Sequence, residues 1–324
     1  MTTASRRSPE PAGAAPCVSV VIPVLNGAAH LAEAIESILG QTLGDLELIV
    51  VDDGSGDASR QIAEAYRRRD GRVRLIALER DPRTASGARA TNVGLDAARG
   101  RYIARMDADD IATPDRLAVQ LQTLTARGLD VCGGLAERFG DDDGVVWYPQ
   151  SHAAIAAELV FRSGFPNATL LGRAEVLKAA RFSETEAFEE YELQTRLVCE
   201  ARLGNCPQVV LKIRIHAAQT TRVLRPHKSL SQWRSRFRYF SSRFPEATLD
   251  DFQAVNAIPR GLPFAGEGQL ALAGRWLVRL SRLPEAALRA RMARRWREAC
   301  DRFYGLEAGP ASRAQVEADI LAAP

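Results

Sequence analysis

The stretch Arg101-Tyr-Ile-Ala-Arg-Met-Asp-Ala-Asp-Asp110 runs from an apolar segment straight into three carboxylates within four residues. Its first half reads as a buried strand, and ligands of α/β proteins sit at the carboxyl ends of such strands. Clustered acids repel one another, so a loop that holds three together favours a compensating cation, and hard oxygen ligands suit Mg2+ or Mn2+. The competing reading is a solvated acidic turn that opens the helix begun by Thr113 and Pro114, because Asp also caps helices. Taken alone, the segment admits both readings.

The flanking sequence sets the fold around it. Val18-Ser-Val-Val-Ile-Pro23, Leu46-Glu-Leu-Ile-Val-Val51 and Val73-Arg-Leu-Ile-Ala-Leu78 are short apolar runs of the kind buried on both faces of a parallel sheet. Between them, Leu31, Ile35, Ile38 and Leu39, then Ile62, Ala65 and Tyr66, recur at helical spacing, and a further helix is expected over 87–98. This alternation predicts an α/β fold with a mostly parallel, Rossmann-like sheet flanked by helices. A helix over 113–127 follows, and then a less regular half with strands over 131–135, 145–148 and 168–172 and helices over 152–161 and 187–199. From Leu230 onward the chain reads as helical and arginine-rich, with Pro and Gly breaks over 259–268.

Composition narrows the class. With 324 residues, 46% hydrophobic and 26% charged, the chain is an ordinary globular sequence with room for a sizeable core. Cys17, Cys132, Cys199, Cys206 and Cys300 are scattered, without a Cys-x-x-Cys pair, which indicates neither a disulfide framework nor a zinc site and suits a reducing cytoplasm. No apolar run approaches the roughly 20 residues of a membrane span, and residues 1–16, rich in Ser, Pro and Ala, read as a disordered lead rather than a signal peptide. The net charge of +3 is unevenly spread: residues 222–324 hold 18 Lys/Arg against 10 Asp/Glu.

Three loops fall at the carboxyl ends of neighbouring parallel strands: Pro23-Val-Leu-Asn26, Asp52-Asp-Gly-Ser55 and Asp107-Ala-Asp109. A nucleotide fits that convergence. A carboxylate such as Asp53 can accept a hydrogen bond from a base N–H, Asp107 from ribose hydroxyls, and Asp109 can hold a metal on the pyrophosphate. A dinucleotide site is disfavoured, since no Gly-x-Gly-x-x-Gly follows the first strand.

Val-Ser-Val-Val-Ile-Pro-x-x-Asn, Val-Val-Asp-Asp-Gly-Ser, Gly-x-Arg-x-x-Asn-x-Gly-Leu and Asp-Ala-Asp-Asp, in this order, resemble glycosyltransferase family 2 over roughly residues 18–222. The resemblance implies a GT-A fold with a nucleotide-binding half over 17–112, an acceptor-binding half over 113–222 and a helical basic extension over 223–324. It also implies that Pro23, Val24 and Asn26 line the nucleotide pocket, that Asp53 reads the base, that Arg89 approaches the diphosphate and that Asp107 and Asp109 form an Asp-x-Asp metal motif with Mn2+ or Mg2+. Leu25 stands where the family commonly has an aromatic residue. UDP is the usual donor nucleotide in the family, with GDP and dTDP as alternatives, which makes a UDP-sugar the expected donor.

Further on, Phe188-Glu-Glu-Tyr-Glu-Leu193 resembles the family segment Glu-Asp-Tyr-Asp-Leu, whose first Asp is the catalytic base. Glu190 occupies that position with a side chain one methylene longer. The competing reading is an acidic helix start favoured by the helix dipole. Arg214-Ile-His216 resembles the family's closing Arg-x-His segment, where His216 completes a metal shell or both side chains bind phosphate. His30, His152 and His227 carry no such context and read as structural.

These assignments imply a metal-dependent, inverting transfer of one sugar to a hydroxyl acceptor on a glycan or glycolipid, as in cell-surface polysaccharide synthesis. The Gln-x-x-Arg-Trp signature of processive synthases is absent. The rival reading is a non-catalytic relative that keeps the fold as a binding or scaffold module; a sugar-nucleotide pyrophosphorylase fits less well, because residues 23–28 are not a Gly-rich basic loop. Leu288, Met292, Trp296 and Phe303 form a narrow stripe among arginines. It reads first as packing and second as peripheral contact with the inner face of the cell membrane. Nothing in this tail resembles a nucleic-acid-binding module.

Overall fold

The computed structural model describes residues 15–81, 87–186, 188–216, 225–282, 286–304 and 312–322. Strand β1 (Val18–Val24) lies between β2 (Leu46–Asp52) and β4 (Tyr102–Arg105), with β3 (Val73–Ala77) outside β2, and every pairing in this half is parallel. With both faces of the sheet covered, the period-two alternation of a strand explains why β1 is apolar on both faces apart from Ser19, whose hydroxyl donates to Glu47 Oε1 (2.7 Å). Val20, Ile22 and Val24 enter one core with Leu31, Ile35 and Ile38 of α1 (Leu31–Leu39), while Val21 enters the other with Leu95 of α3 (Ala88–Ala97). Helix α2 (Ser59–Arg69) joins β2 to β3.

Two residues of the Gly-x-Arg-x-x-Asn-x-Gly-Leu segment prove to be packing devices. A Cβ on Gly94 would lie 2.3 Å from Val21 Cγ1, so only glycine lets α3 sit this close to β1. The Asn92 amide donates to the Phe182 carbonyl (2.9 Å) and accepts from the Phe182 N–H (2.9 Å), tying α3 to the second half of the domain.

The second half is mixed. Beyond β4 the sheet continues through β8 (Leu171–Arg173), β6 (Val131–Gly140), β9 (Leu203–Ile215) and β5 (Ile111–Ala112), with β7 (Gly144–Val146) paired to β6. The pairings of β8 with β4 and β6 are antiparallel, whereas β6 and β9 run parallel. Helices α4 (Arg116–Ala126), α5 (His152–Glu158), α6 (Ala174–Ala180) and α7 (Glu189–Glu200) cover this half. Strand β9, 13 residues long, is not foreseen by the sequence pattern. Exposed Pro207 interrupts its periodicity, and the register with β6 shifts between Gly133 and Ala136, so no simple alternation survives.

The chain from 225 onward forms α8 (Arg225–Arg243), α9 (Leu249–Arg260), α10 (Glu267–Ser281), α11 (Ala286–Tyr304) and α12 (Ser312–Ala322). Their apolar core is continuous with that of the sheet. Phe240 packs against both Phe252 and Trp276, and the Tyr239 hydroxyl donates to the Ala156 carbonyl of α5 (2.7 Å). Met292 and Trp296 of α11 are buried and pack inward, Phe303 is partly exposed, and the side chain of Leu288 lies outside the described residues. Among the described residues no helix is long and apolar enough to cross a membrane.

Candidate active site

The parallel strands deliver their carboxyl ends, and the loops after them, to one edge of the sheet. At the end of β1 the chain turns through Asn26, whose φ of 53° is in the left-handed region that Asn tolerates better than most residues. Its side chain accepts from the Gly56 N–H (2.8 Å) while its own N–H donates to Ser55 Oγ (2.9 Å). Asn26 therefore stitches the β1 loop to the β2 loop. Gly27 and Ala28 extend the seam by donating to Ser59 Oγ (2.9 Å) and Asp57 Oδ2 (3.0 Å). Pro23 is partly exposed at this edge. The Val24 side chain belongs to the core, and its carbonyl accepts from the Asp53 N–H (2.9 Å), so it contributes to the site through its backbone.

Asp53 is nearly buried behind that seam. Arg89 Nη1 lies 3.3 Å from its Oδ1 and donates to the Glu79 carbonyl (3.0 Å), while Arg80 stands 3.9 Å from Oδ2. Burial pushes the Asp53 carboxyl above its ordinary value, and Arg89 and Arg80 oppose the shift. The structure thus brings Arg89 to Asp53.

The acidic loop follows β4. Arg105, the last residue of that strand, is buried, and its Nη2 lies 2.6 Å from Asp107 Oδ1. Its Nε and Nη1 are buried without a hydrogen-bond partner among the described residues. Burial works against the Arg105 charge, but Asp107 foremost, and then Glu190 and Glu189, raise its pKa above the ordinary value. Arg116, fully buried at the start of α4, supports the strand end by donating to the Arg105 carbonyl (2.8 Å).

Asp109 and His216 come together across the sheet: His216 Nε2 is 2.9 Å from Asp109 Oδ2. The His30 ring lies 5.4 Å from the His216 ring, and burial, Arg214 and His216 push its pKa down. Arg214 braces the loop, donating through Nε to the Asp109 carbonyl (3.1 Å), through its N–H to Asp110 Oδ1 (3.1 Å) and through Nη2 to Glu33. Asp110 is buried, which drives its carboxyl well above the ordinary range, with Asp107 and Asp109 adding to the effect.

An oxygen from Asp109 and a nitrogen from His216 suit Mn2+ or Mg2+, and their separation matches the roughly 3 Å between adjacent ligands on an ion with bonds of about 2.1 Å. Among the described residues no group of three or more His, Cys, Asp or Glu could hold a metal unaided. These residues therefore fit a metal that takes its other ligands from phosphate and water.

Glu190 lies in the first turn of α7, partly exposed, and its charge reaches both the Arg105 guanidinium and the Tyr148 hydroxyl. Its neighbour Glu192 is buried and bound to Arg196 (2.7 Å). Of the site side chains, the sequence reading passes over Arg105, Arg80 and Arg116 and takes His30 as structural. An arginine inside an apolar strand, immediately before three acids, is a signal for Arg105; position in a strand-end loop is a weaker one for His30. Gln219-Thr-Thr221, after His216, lies outside the described residues.

A parallel half-sheet whose strand-end loops converge on Asp53, Asp107 and Asp109 is the arrangement of a GT-A glycosyltransferase. Residues 19–183 match the family Glycosyl transferase family 2, and the chain belongs to that family. An uncharacterized glycosyltransferase of Haemophilus influenzae is 30% identical over 225 residues, covering 64% of this chain and 68% of that protein. The succinoglycan biosynthesis protein ExoO of Rhizobium meliloti is 35% identical over 227 residues, covering 65% and 64%. The chain thus spans about two thirds of each relative. Among solved structures, S. aureus TarS 1–349 in complex with UDP-GlcNAc superposes with a TM-score of 0.58 at 16% identity, over 94% of this chain and 89% of that one. The mannosyltransferase PcManGT from Pyrobaculum calidifontis, in complex with GDP-Man and Mn2+, gives 0.53 at 16% identity over 96% and 86%. Both likenesses bear out the GT-A fold.

Proposed function

We propose that this protein transfers one sugar from a nucleoside-diphosphate sugar to a hydroxyl acceptor in the synthesis of a cell-surface polysaccharide or glycolipid, with inversion at the anomeric carbon. The observation that carries the reading is the convergence of Asp107, Arg105 and Glu190 at the end of β4, with the Asp109–His216 pair beside them. UDP-GlcNAc in TarS and GDP-Man in PcManGT support a nucleotide-sugar donor, and ExoO supports a polysaccharide product.

In this reading Asp53 accepts a hydrogen bond from the base, with Arg89 holding it in orientation, and the Pro23–Asn26 turn forms the floor of the nucleotide pocket. Asp107 accepts from the ribose. Asp109 and His216 would hold Mn2+ or Mg2+, which when bound neutralises charge on the leaving diphosphate. Arg105 places a second cation against the same loop. Glu190 takes the proton from the acceptor hydroxyl as that oxygen attacks the anomeric carbon opposite the leaving group, which gives inversion. Glu190 departs from the family's Asp by one methylene, which is the one feature that leans toward a scaffold, but it keeps a carboxylate beside Arg105, and this favours catalysis.

The test is to incubate the protein with UDP- and GDP-sugars, each with Mn2+, with Mg2+ or with EDTA, and to measure release of the nucleoside diphosphate. Metal-dependent release from one donor class supports the reading. Absence of both release and nucleotide binding across all donors would remove it.

A further inference from the structure

Away from the proposed sugar-nucleotide site, a cavity of about 490 Å3 lies between Phe161 and Arg162, just beyond α5, and the C-terminal helices. Arg162, Arg236, Arg294, Arg295 and Arg302 line it with a single carboxylate, Glu298. That volume is in the range of small-molecule sites. Behind the wall sits Glu158, fully buried, which Arg162, Arg291 and Arg295 share: Arg291 Nε is 3.2 Å and Arg295 Nη2 3.1 Å from its Oε1. One carboxylate cannot neutralise three guanidinium groups. Arg294 reaches Glu298 at 3.6 Å, and Arg302 donates to the Ile258 carbonyl (3.2 Å) with no carboxylate in ion-pair range among the described residues.

The excess positive charge is partly out of water. Arg236 and Arg295 are buried, and Arg295 stacks 4.2 Å above the Phe161 ring. Burial, and then repulsion from Arg162, Arg295 and Arg294, pushes the Arg291 pKa down to about 10 against the pull of Glu158. Guanidinium groups gathered at this density match the oxygens of a phosphoryl group, which they bind with forked, charge-assisted hydrogen bonds. Phe161, Ile258 and Pro259 give the same cavity an apolar wall for the organic part of such a ligand.

We infer that this cavity is an anion site that binds a phosphoryl group, either on a lipid headgroup or on a soluble phosphate compound. The inference is independent of the function proposed above. Arg294 and Arg302 are the exposed members of the wall, so they grip the ligand, while buried Arg295 and Arg236 shape the floor.

The full chain in metal-free buffer is titrated with inorganic pyrophosphate, as wild type and as Arg294→Gln, Arg302→Gln and Arg234→Gln; Arg234 is exposed on α8 and outside the cavity wall. The expected result is saturable binding, weakened roughly tenfold or more by each cavity variant, as loss of one charge-assisted hydrogen bond implies, and unchanged by the control. Arg89→Gln separates this site from the donor site: pyrophosphate held in the cavity keeps the same affinity, whereas pyrophosphate held at the donor site binds more weakly. A second arm measures binding to phosphatidylcholine vesicles with and without phosphatidylglycerol. Binding that requires phosphatidylglycerol and is lost in Arg302→Gln identifies a headgroup, and pyrophosphate binding without vesicle binding identifies a soluble ligand. Equal losses in the cavity variants and Arg234→Gln, or no binding in either arm, would overturn the site.

Discussion

The guanidinium of Arg105 lies 2.6 Å from the carboxylate of Asp107, joining the last residue of β4 to the acidic loop beyond it. Arg105 also feels Glu190 and Glu189, so one buried cation links the acidic loop to the helix that carries the proposed base. Its Nε and Nη1 are buried without a hydrogen-bond partner among the described residues, so protein groups satisfy the guanidinium only in part. Arg105→Lys keeps the charge and removes the planar fork. A fall of roughly one hundredfold in kcat, with donor KM changed far less, is expected for loss of a preorganised donor in a transition state. If kcat, donor binding and melting temperature all decline in step, Arg105 is a structural residue.

Glu190 is tested by two substitutions. Glu190→Gln removes the proton acceptor and should lower transfer by about 10²- to 10⁴-fold while donor affinity stays within twofold. Glu190→Asp retains the carboxylate but draws it back by one methylene, so intermediate activity is expected. Wild-type turnover in Glu190→Gln would eliminate this residue as the base and return the scaffold reading to consideration.

Asp109 and His216 predict a shared metal phenotype. Asp109→Asn should abolish stimulation by Mn2+, and His216→Gln should raise the Mn2+ concentration needed for half-maximal activity by roughly tenfold or more. Isothermal titration of nucleoside diphosphate with and without metal reads the effect independently of turnover. Identical Mn2+ dependence in wild type and both variants would leave their 2.9 Å contact as a loop fastening alone.

Asp53 sets stability against binding. Burial raises its folded-state pKa above the unfolded value, so the ionised carboxylate costs stability at pH values above its folded pKa, and stability recovers as pH falls between the folded and unfolded values. Asp53→Asn removes that cost. The variant should melt at the same temperature as wild type or higher at pH 7, yet bind donor nucleotide roughly tenfold or more weakly, the scale of a lost hydrogen bond to a charged group. A nucleotide titration beside a melting curve distinguishes this from simple unfolding, in which both would fall.

Much of the parallel half is legible in the sequence because short buried strands and helical stripes repeat there without interruption. Val18 to Ile22, Leu46 to Val51 and Tyr102 to Arg105 each declare themselves by apolar density, and their loops fall at one edge by topology alone. The second half resists the same reading for local reasons. Pro207 and the register shifts opposite Gly133 to Ala136 hide β9, and that strand is what carries Arg214 and His216 back to the acidic loop. Motif residues also divide in ways that spacing cannot show. Asn26, Asn92 and Gly94 hold elements together, whereas Arg89 is drawn to Asp53.

The last expectation concerns Glu158, on which Arg162, Arg291 and Arg295 converge. Burial alone would raise its pKa; Arg295, Arg162 and Arg291 override that and hold it below the ordinary value of 4.5. A depressed folded-state pKa means that the stabilising contribution is fully present above about pH 4.5 and is lost as pH falls through the folded value. Glu158→Gln strands buried guanidinium groups and should cost about 3–5 kcal/mol at pH 7. Because Glu158 joins α5 to α11, the loss should loosen the C-terminal helices from the sheet and be visible as faster proteolysis within them. Denaturation measured from pH 7 down to pH 3 should show the gap between variant and wild type closing below pH 4.5. A gap that stays constant across that range would mean that packing around position 158, and not its charge, anchors the two regions.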